Sequence, residues 1–162
     1  MVRSPQTVAL FPKGHVRVPA TVRRRQANVP HQYSYRDSGG SNLAVVSSVI
    51  YHIATRADWE RSLEEGEYTR SSVDKTLAEE GFIHASAASQ VAGTANRFYR
   101  DVPGDLVLLV IDVGLLRAEV RYEDVPGADL PFPHIYGPLN VDAVVAARPF
   151  APRPDGTFEF EA

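Results

Sequence analysis

The stretch DLVLLVIDV, Asp105 to Val113, constrains the fold more than any other part of the chain. Six consecutive apolar residues, three leucines and three β-branched residues, stand between two aspartates. A run of this length and composition is typical of a strand in the middle of a sheet. We therefore predict a central strand over 106–112, to which the rest of the domain must supply neighbouring strands.

The segments before this strand predict one strand, two helices and a second short strand. Val49–Ala54 is β-rich, and Thr55 followed by Asp58 is typical of a helix N-terminus. Gly66 ends a helix predicted over 56–65. The stretch FIHAS predicts a short buried strand, and Ser86 is the expected N-cap of a helix over 87–99.

Strands dominate the remainder of the sequence. Val120 and Tyr122 alternate with charged residues, which predicts a half-buried strand. FPHIYGPL, Phe132 to Leu139, is bracketed by prolines, which a central strand would not tolerate, so we expect it at the edge or mouth of a cleft. VDAVVAARPF predicts a strand that ends before Pro149, and DGTFEF a final edge strand. This order of elements indicates an α+β domain, not a repeating βαβ one.

Charge divides the chain into two parts. Residues 1–48 carry seven basic residues and one acidic residue, whereas residues 49–162 carry ten basic and nineteen acidic ones. The first part also contains four prolines and a Gly-Gly pair and has no sustained hydrophobic period. We predict a basic, poorly ordered extension over 1–48 and one compact domain over 49–162.

Three interpretations of the basic extension stay open. It is Arg-rich and acid-poor, as transit-like segments are. Arg23-Arg24-Arg25 could form the centre of an arm that binds nucleic acid. The third interpretation is an extension without function. The chain has no cysteine, which suits a reducing cytoplasm, and no apolar stretch of 18 residues, so we expect a cytoplasmic protein with no membrane partner.

The domain contains three histidines, and each lies in a strand-like apolar segment: IYHIA, GFIHAS and FPHIYG. Alternation along a strand places His134 and Tyr136 on the same face. A buried imidazole needs hydrogen-bond partners, and leaving it without them costs about 1–3 kcal/mol. Three such residues, His52, His84 and His134, therefore favour convergence on one cleft, although a lone histidine in a strand is more often a satisfied core residue.

Other kinds of site find less support in the sequence. Three histidines can hold zinc, but their spacings of 32 and 50 residues match no local metal motif, and we expect no metal. The chain has no Gly-x-Ser-x-Gly nucleophile motif. It also lacks the P-loop and Gly-x-Gly-x-x-Gly patterns that cradle phosphates.

Five motifs follow one another over about residues 49–150: IYHIATRADWERSLEEGEY, EGFIHAS, QVAGTANRFYRDVPGDLVLLVID, VRYED and FPHIYGPLNVDAVV. In this order they resemble the domain of unknown function 952 family. More distantly, the layout is similar to the ADP-ribosyltransferase superfamily and its RNA 2'-phosphotransferases. YHIAT stands where that superfamily has a Tyr-His-Gly-Thr-like element, and GFIHAS resembles its His-x-His-Leu-Ser-like strand. The resemblance implies a split antiparallel or mixed sheet with two to three helices.

The same resemblance implies roles for individual residues. His52 would grip the ribose of NAD, Thr55 and Ser86 would join it in cofactor binding, and His84 would occupy the second-motif position. Arg97 is a candidate for holding phosphate because a guanidinium forks onto phosphate oxygens. The third motif usually carries a catalytic Glu, which FPHIYGPL lacks.

His134 and Tyr136 would then replace that acid. Glu123 is another stand-in, although its alternation is equally typical of a solvated strand face. We therefore expect the catalytic residues His52, His84, His134 and Tyr136 to line a cleft that binds NAD or a nucleotide-like phosphorylated ligand. The expected reaction is ADP-ribose transfer or RNA 2'-phosphotransfer. The alternatives are a non-catalytic nucleotide-binding module that lost the acid and a three-histidine metal-dependent hydrolase.

Overall fold

The computed structural model describes residues 33–35, 44–46 and 49–162 of the chain. In these residues three α-helices accompany ten strands. The strands are β1 (Tyr33–Tyr35), β2 (Ala44–Val46), β3 (Val49–Thr55), β4 (Glu67–Tyr68), β5 (Ile83–His84), β6 (Leu106–Asp112), β7 (Glu119–Glu123), β8 (Phe132–Tyr136), β9 (Leu139–Asn140) and β10 (Val144–Phe150). The helices are α1 (Arg56–Glu65), α2 (Leu77–Glu80) and α3 (Ala88–Phe98).

The apolar run of β6 is a central strand, as predicted. It pairs antiparallel with β3 along one edge and with β10 along the other. Its residues alternate between two hydrophobic cores, because neighbouring side chains of a strand point to opposite faces. Leu109 and Ile111 pack with Trp59 in the first core, whereas Leu108 and Val110 pack beneath α3 in the second.

A second sheet has the order β5-β8-β7, again antiparallel. Its inner face carries Ile83, Val120 and Ile135, which join the first core. Its outer face carries the polar and aromatic residues of the same strands. The remaining pairs of strands are β4 with β9 and β1 with β2. The domain is therefore α+β with small antiparallel sheets, which confirms the predicted class.

The expectation that a central strand would not tolerate the prolines of FPHIYGPL is wrong. β8 is the middle strand of its sheet, and Pro133 lies inside it, opposite Tyr122. The Pro133 carbonyl accepts a hydrogen bond from the Ala85 amide, so the proline nitrogen also faces the β5 edge. β5 pairs with β8 only at Ile83 and His84. The amide N–H that Pro133 lacks would therefore lie at the end of the β5–β8 pairing, where its loss is tolerated.

Residues close in sequence determine both ends of α1 and the start of α3. Thr55 caps α1 by accepting a hydrogen bond from the Asp58 amide, and Gly66 ends the helix in the left-handed conformation, as predicted. The N-cap of α3 is Ala87, not Ser86. There the Gln90 side chain accepts from the Ala87 amide, which is the half of a capping box that the N3 side chain supplies.

Three further expectations have different outcomes. The strand predicted over DGTFEF is absent: residues 151–162 form turns and irregular structure in the described part of the chain. The predicted disorder of residues 1–48 lies mostly outside the described residues, which nevertheless include β1 and β2. Within the described residues, no helix has the length and apolar character needed to cross a membrane.

Candidate functional site

A cavity of about 460 Å³ opens between the two sheets, within the range of small-molecule sites. The three histidines of the domain all contribute to its wall. The lining residues are Tyr51, His52, Ile53, Ser72, Val73, Asp74, Lys75, Glu80, Phe82, His84, Ala85, Ser86, Thr94, Phe98, Tyr99, Val125, Phe132 and His134. Five aromatic rings and few charges make the wall mostly apolar.

The cavity exists because β3 and β5 separate after a single bridge. Tyr51 and Ser86 exchange two backbone hydrogen bonds of 2.9 and 2.8 Å. Beyond them, side chains replace the ladder: Tyr99 Oη donates to the Ile53 carbonyl, and His52 Nδ1 donates to the His84 carbonyl. The backbone N–H and C=O groups of residues two apart are directed to the same edge of a strand. The Ile53 amide N–H is therefore directed toward this gap, as the Tyr51 amide is directed toward Ser86.

His52 is buried, and both of its ring nitrogens have partners. A carbonyl can only accept, so the 2.6 Å contact with the His84 carbonyl places the proton on Nδ1. Nε2 then accepts a 2.9 Å hydrogen bond from Tyr68 Oη. Burial lowers the pKa of His52 to about 4 and raises the pKa of Tyr68. His52 is therefore a neutral imidazole that holds the edge of the cavity in place.

His134 has an orienting carboxylate. Its Nδ1 lies 2.6 Å from Oε2 of Glu123, and Tyr136 Oη donates to the same oxygen at 2.9 Å. Both hydrogen bonds lower the pKa of Glu123, and the hydrogen bond with His134 is the larger cause. The arrangement fixes the proton of the neutral ring on Nδ1. Within residues 49–162 nothing is hydrogen-bonded to Nε2, which remains available as a base.

His84 faces His134 directly across the β5–β8 ladder, with ring centroids 5.3 Å apart. Phe82 stacks on His134 at 4.2 Å and meets His84 edge-on at 4.9 Å. Burial lowers the pKa of His84, and the neighbouring His134 lowers it further. At neutral pH His84 is therefore mostly uncharged and able both to donate and to accept.

Glu80 is a member of the site that sequence reasoning missed. It ends α2, and its Oε2 lies 2.5 Å from Lys75 Nζ. Its Oε1 lies 3.7 Å from Nε2 of His84. The sequence feature that could have indicated Glu80 is its position four residues before His84, with Gly81 between the two. Gly81 adopts φ 91°, which reverses the chain and returns it toward the helix end.

The loop from Ser71 to Lys75 forms the wall beside His84, whose amide donates a hydrogen bond to the Ser71 carbonyl. Arg70 Nη2 donates to the Val73 carbonyl at 2.6 Å, and the Ser71 amide donates to the Lys75 carbonyl at 2.9 Å. The loop is therefore closed by its own hydrogen bonds, which present Lys75 to the cavity.

The other predicted site residues take different positions. Ser86 lines the cavity, where its hydroxyl lies 3.3 Å from that of Thr94. Tyr136 reaches the site through Glu123, whereas Thr55 serves as a helix cap. The Arg97 guanidinium lies 5.1 Å from the ring centre of Phe98, a lining residue, and so stands at the rim.

Within the described part of the chain, no group of three His, Asp or Glu side chains is arranged to hold a metal ion. The geometry around His52 gives the reason. Its two ring nitrogens are engaged by the His84 carbonyl and by Tyr68, so it has no lone pair free for a ligand bond.

Comparison with known proteins gives relatives for the chain. A family model described as "Protein of unknown function (DUF952)" matches residues 53–147. An X-ray structure of protein CC0527 from Caulobacter crescentus is 35% identical, with a TM-score of 0.59, over 68% of this chain and 93% of that chain. The NMR structure of the same protein gives 35% identity and a TM-score of 0.56, over 69% and 92%. No curated protein matches.

Proposed function

The chain belongs to the family described as a protein of unknown function (DUF952), and we propose that it is an ADP-ribosyltransferase-like protein that binds NAD and transfers ADP-ribose to an acceptor. One observation carries this proposal. His52, His84 and His134 meet at a single cavity, and a carboxylate orients His134 so that its Nε2 stays open.

The arrangement of the sheets supports an ADP-ribosyltransferase-like fold. Two three-stranded antiparallel sheets are joined at the Tyr51–Ser86 bridge and separate beyond it. The cleft of a split sheet would lie at this gap. The first-motif strand β3 and the second-motif strand β5 form its two sides, so YHIAT and FIHAS border the same ligand.

The lining of the cavity suits the nicotinamide end of NAD. Phe82 and Phe132 offer ring surface to a planar heterocycle, and the Ile53 amide is directed toward the gap, where it could meet a carboxamide oxygen. Two acids, Asp74 and Glu80, accompany one base, Lys75. This excess of negative charge favours a cationic ring.

The same charges favour a diphosphate that would lie outside the cavity. Among the described residues no arginine belongs to the lining, and Lys75 is already paired with Glu80. Arg97, beside Phe98 at the rim, is the cation that the diphosphate would meet. RNA 2'-phosphotransfer would need phosphate inside the cavity, so the lining favours ADP-ribose transfer over it.

The reaction breaks the bond between ribose C1 and the nicotinamide nitrogen. The bonding electrons leave with that nitrogen, and the ribose becomes an oxocarbenium-like cation. The acceptor then forms a bond to C1, and its proton passes to Nε2 of His134. Glu123 stabilises the imidazolium so formed, with Tyr136 fixing the carboxylate. General-base catalysis of this kind contributes about 10²- to 10⁴-fold.

The remaining residues position these groups. His84 lies close enough to His134 to share a bound acceptor or ribose hydroxyl with it. We assign His52 to support of the cleft, since its hydrogen bonds hold the His84 carbonyl and Tyr68. This differs from the ribose contact that the resemblance implies.

The test combines binding with turnover. Titration calorimetry with NAD and ADP-ribose measures binding, and release of nicotinamide from labelled NAD measures turnover. We expect His134→Gln to bind NAD and to release nicotinamide at least about 100-fold more slowly than the wild type in the presence of an acceptor. Failure of the wild type to bind either nucleotide would overturn the proposal.

Two other results would point to the alternatives. Binding of NAD without release of nicotinamide would favour a nucleotide-binding module. Tight Zn²⁺ binding that disappears in His134→Ala would favour a metal-dependent hydrolase. A three-histidine site would lose Zn²⁺ in His84→Ala as well, and Glu79→Gln, at a residue outside the lining, serves as the control that should retain it.

A further inference from the structure

We propose that Glu80 is the catalytic carboxylate of this site, supplied by helix α2 in place of a glutamate on the third-motif strand, and that Lys75 is its positioning residue. This inference rests on the proposed function and names the group that stabilises the cationic ribose. Neither an imidazole nor a phenol supplies a fixed negative charge at neutral pH, so a transferase of this kind needs a carboxylate from elsewhere.

The position of Glu80 meets that need. Its side chain lines the cavity and is 20% exposed, so its charge is only partly screened by water. One carboxylate oxygen lies 3.7 Å from the ring of His84. The hydrogen bond from Lys75 lowers the pKa of Glu80, which keeps the group ionised at neutral pH.

The other acids near the site are less suited to the role. Glu123 is not part of the lining, and its Oε2 already accepts hydrogen bonds from His134 and Tyr136. Asp74 lines the cavity but is exposed to solvent, which weakens its field. Glu79, the neighbour of Glu80 in α2, is engaged with Thr76 in a capping box.

Lys75 acts on Glu80 in two ways. Its ammonium at 2.5 Å holds one carboxylate oxygen, so the other is directed toward His84 and the cavity. It also lowers the pKa of Glu80, which keeps the carboxylate charged. When positive charge develops at ribose C1, the preoriented Oε1 stabilises it without further rearrangement.

The experiment compares Glu80→Gln with Glu79→Gln. The two residues are adjacent on α2, and the substitution removes the same charge, while a Gln at position 79 can still close the capping box. We expect Glu80→Gln to lower kcat for nicotinamide release about 100-fold or more with a small change in KM, and Glu79→Gln to leave both nearly unchanged. Lys75→Met should raise the pKa of Glu80, which a pH titration of the carbon chemical shift of its carboxyl group measures directly.

Separate outcomes decide the inference and the proposed function. If the wild type releases nicotinamide and Glu80→Gln retains its kcat, the inference is overturned and the proposed function stands. If the wild type releases none, the proposed function fails, and the inference, which rests on it, is overturned with it. If the wild type releases nicotinamide and both Glu80→Gln and Glu79→Gln lose kcat equally, the inference alone is overturned.

Discussion

His52 is a titratable side chain that its surroundings keep neutral. Burial lowers its pKa from 6.5 to about 4. Between these values the unfolded chain binds a proton that the native protein does not, so stability falls as the pH falls from 6.5 toward 4. The loss from this residue approaches about 3 kcal/mol at the lower end, at 1.36 kcal/mol per pKa unit.

Urea unfolding at pH 7.5, 6 and 5 measures this contribution. Wild type and His52→Gln should converge in stability as the pH falls, because the variant has no imidazole to protonate. His84→Gln is the control: His84 is half-buried, and its variant should follow the pH dependence of the wild type more closely. A difference between wild type and His52→Gln that stays constant from pH 7.5 to 5 would contradict the prediction.

Glu123 and Tyr136 should contribute unequally to the function of His134. Glu123→Gln replaces the carboxylate by a neutral amide that stabilises the imidazolium poorly, so we expect a loss of transfer rate of about 10²-fold or more. Tyr136→Phe removes one of two hydrogen bonds to that carboxylate and should cost about tenfold or less.

The nitrogen chemical shifts of His134 give a readout independent of turnover. The wild type and Tyr136→Phe should show the neutral Nδ1–H tautomer, and Glu123→Gln a mixture of both tautomers. Equal tautomer populations in all three proteins would show that Glu123 does not orient the ring.

Gly137, after β8, and Gly93, inside α3, should respond in opposite ways to substitution by alanine. Gly137 follows β8 with φ 150°, and a Cβ built there would lie 3.0 Å from the Cβ of Ala118. Gly93 lies inside α3, where a Cβ meets nothing within 4 Å. We expect Gly137→Ala to destabilise the protein by about 1–3 kcal/mol and Gly93→Ala to stabilise it by about 0.5–1 kcal/mol.

Thermal unfolding of the two variants and the wild type tests this pair. The same substitution is made at each position, so differences in side-chain hydrophobicity cancel. A gain of stability in Gly137→Ala would mean that the turn after β8 adapts easily, contrary to the close approach of Ala118.

The elements that the sequence predicted correctly are those specified by local patterns. β6 follows from its apolar run, and α1 from Thr55, Asp58 and Gly66. The central position of β8 could not be predicted, because Pro133 is tolerated only through the place where β5 ends. Local sequence does not report where a neighbouring strand stops.

Part of the site was predictable for the same reason. Three histidines in apolar strands indicated a shared cleft, and the structure places all three at one cavity. The role of His52 depends on Tyr68, 16 residues away, whose position is set by the β4–β9 pair, and that of Glu80 depends on Lys75 in the loop before α2. A pattern along the chain carries no information about those contacts.

At the scale of the whole molecule, two hydrophobic cores share one sheet. Trp59 is buried in the first core, while Leu108 belongs to the second and Leu109 to the first. Leu108 and Leu109 are neighbours in β6, so loss of packing on either face loosens the same strand. We infer that the two cores unfold together.

Leu108→Ala and Leu109→Ala test this coupling, with Val145→Ala, at an exposed position of β10, as the control. Each leucine variant should lose about 2–5 kcal/mol, and the control less than about 0.5 kcal/mol. Trp59, the single tryptophan, reports on the first core by fluorescence, and far-UV circular dichroism reports on all elements. Leu108→Ala should shift both denaturation midpoints equally, although Leu108 lies on the face away from Trp59. A shift in circular dichroism with an unchanged fluorescence midpoint would mean that the cores unfold separately, and that β6 does not transmit the loss of packing from one face to the other.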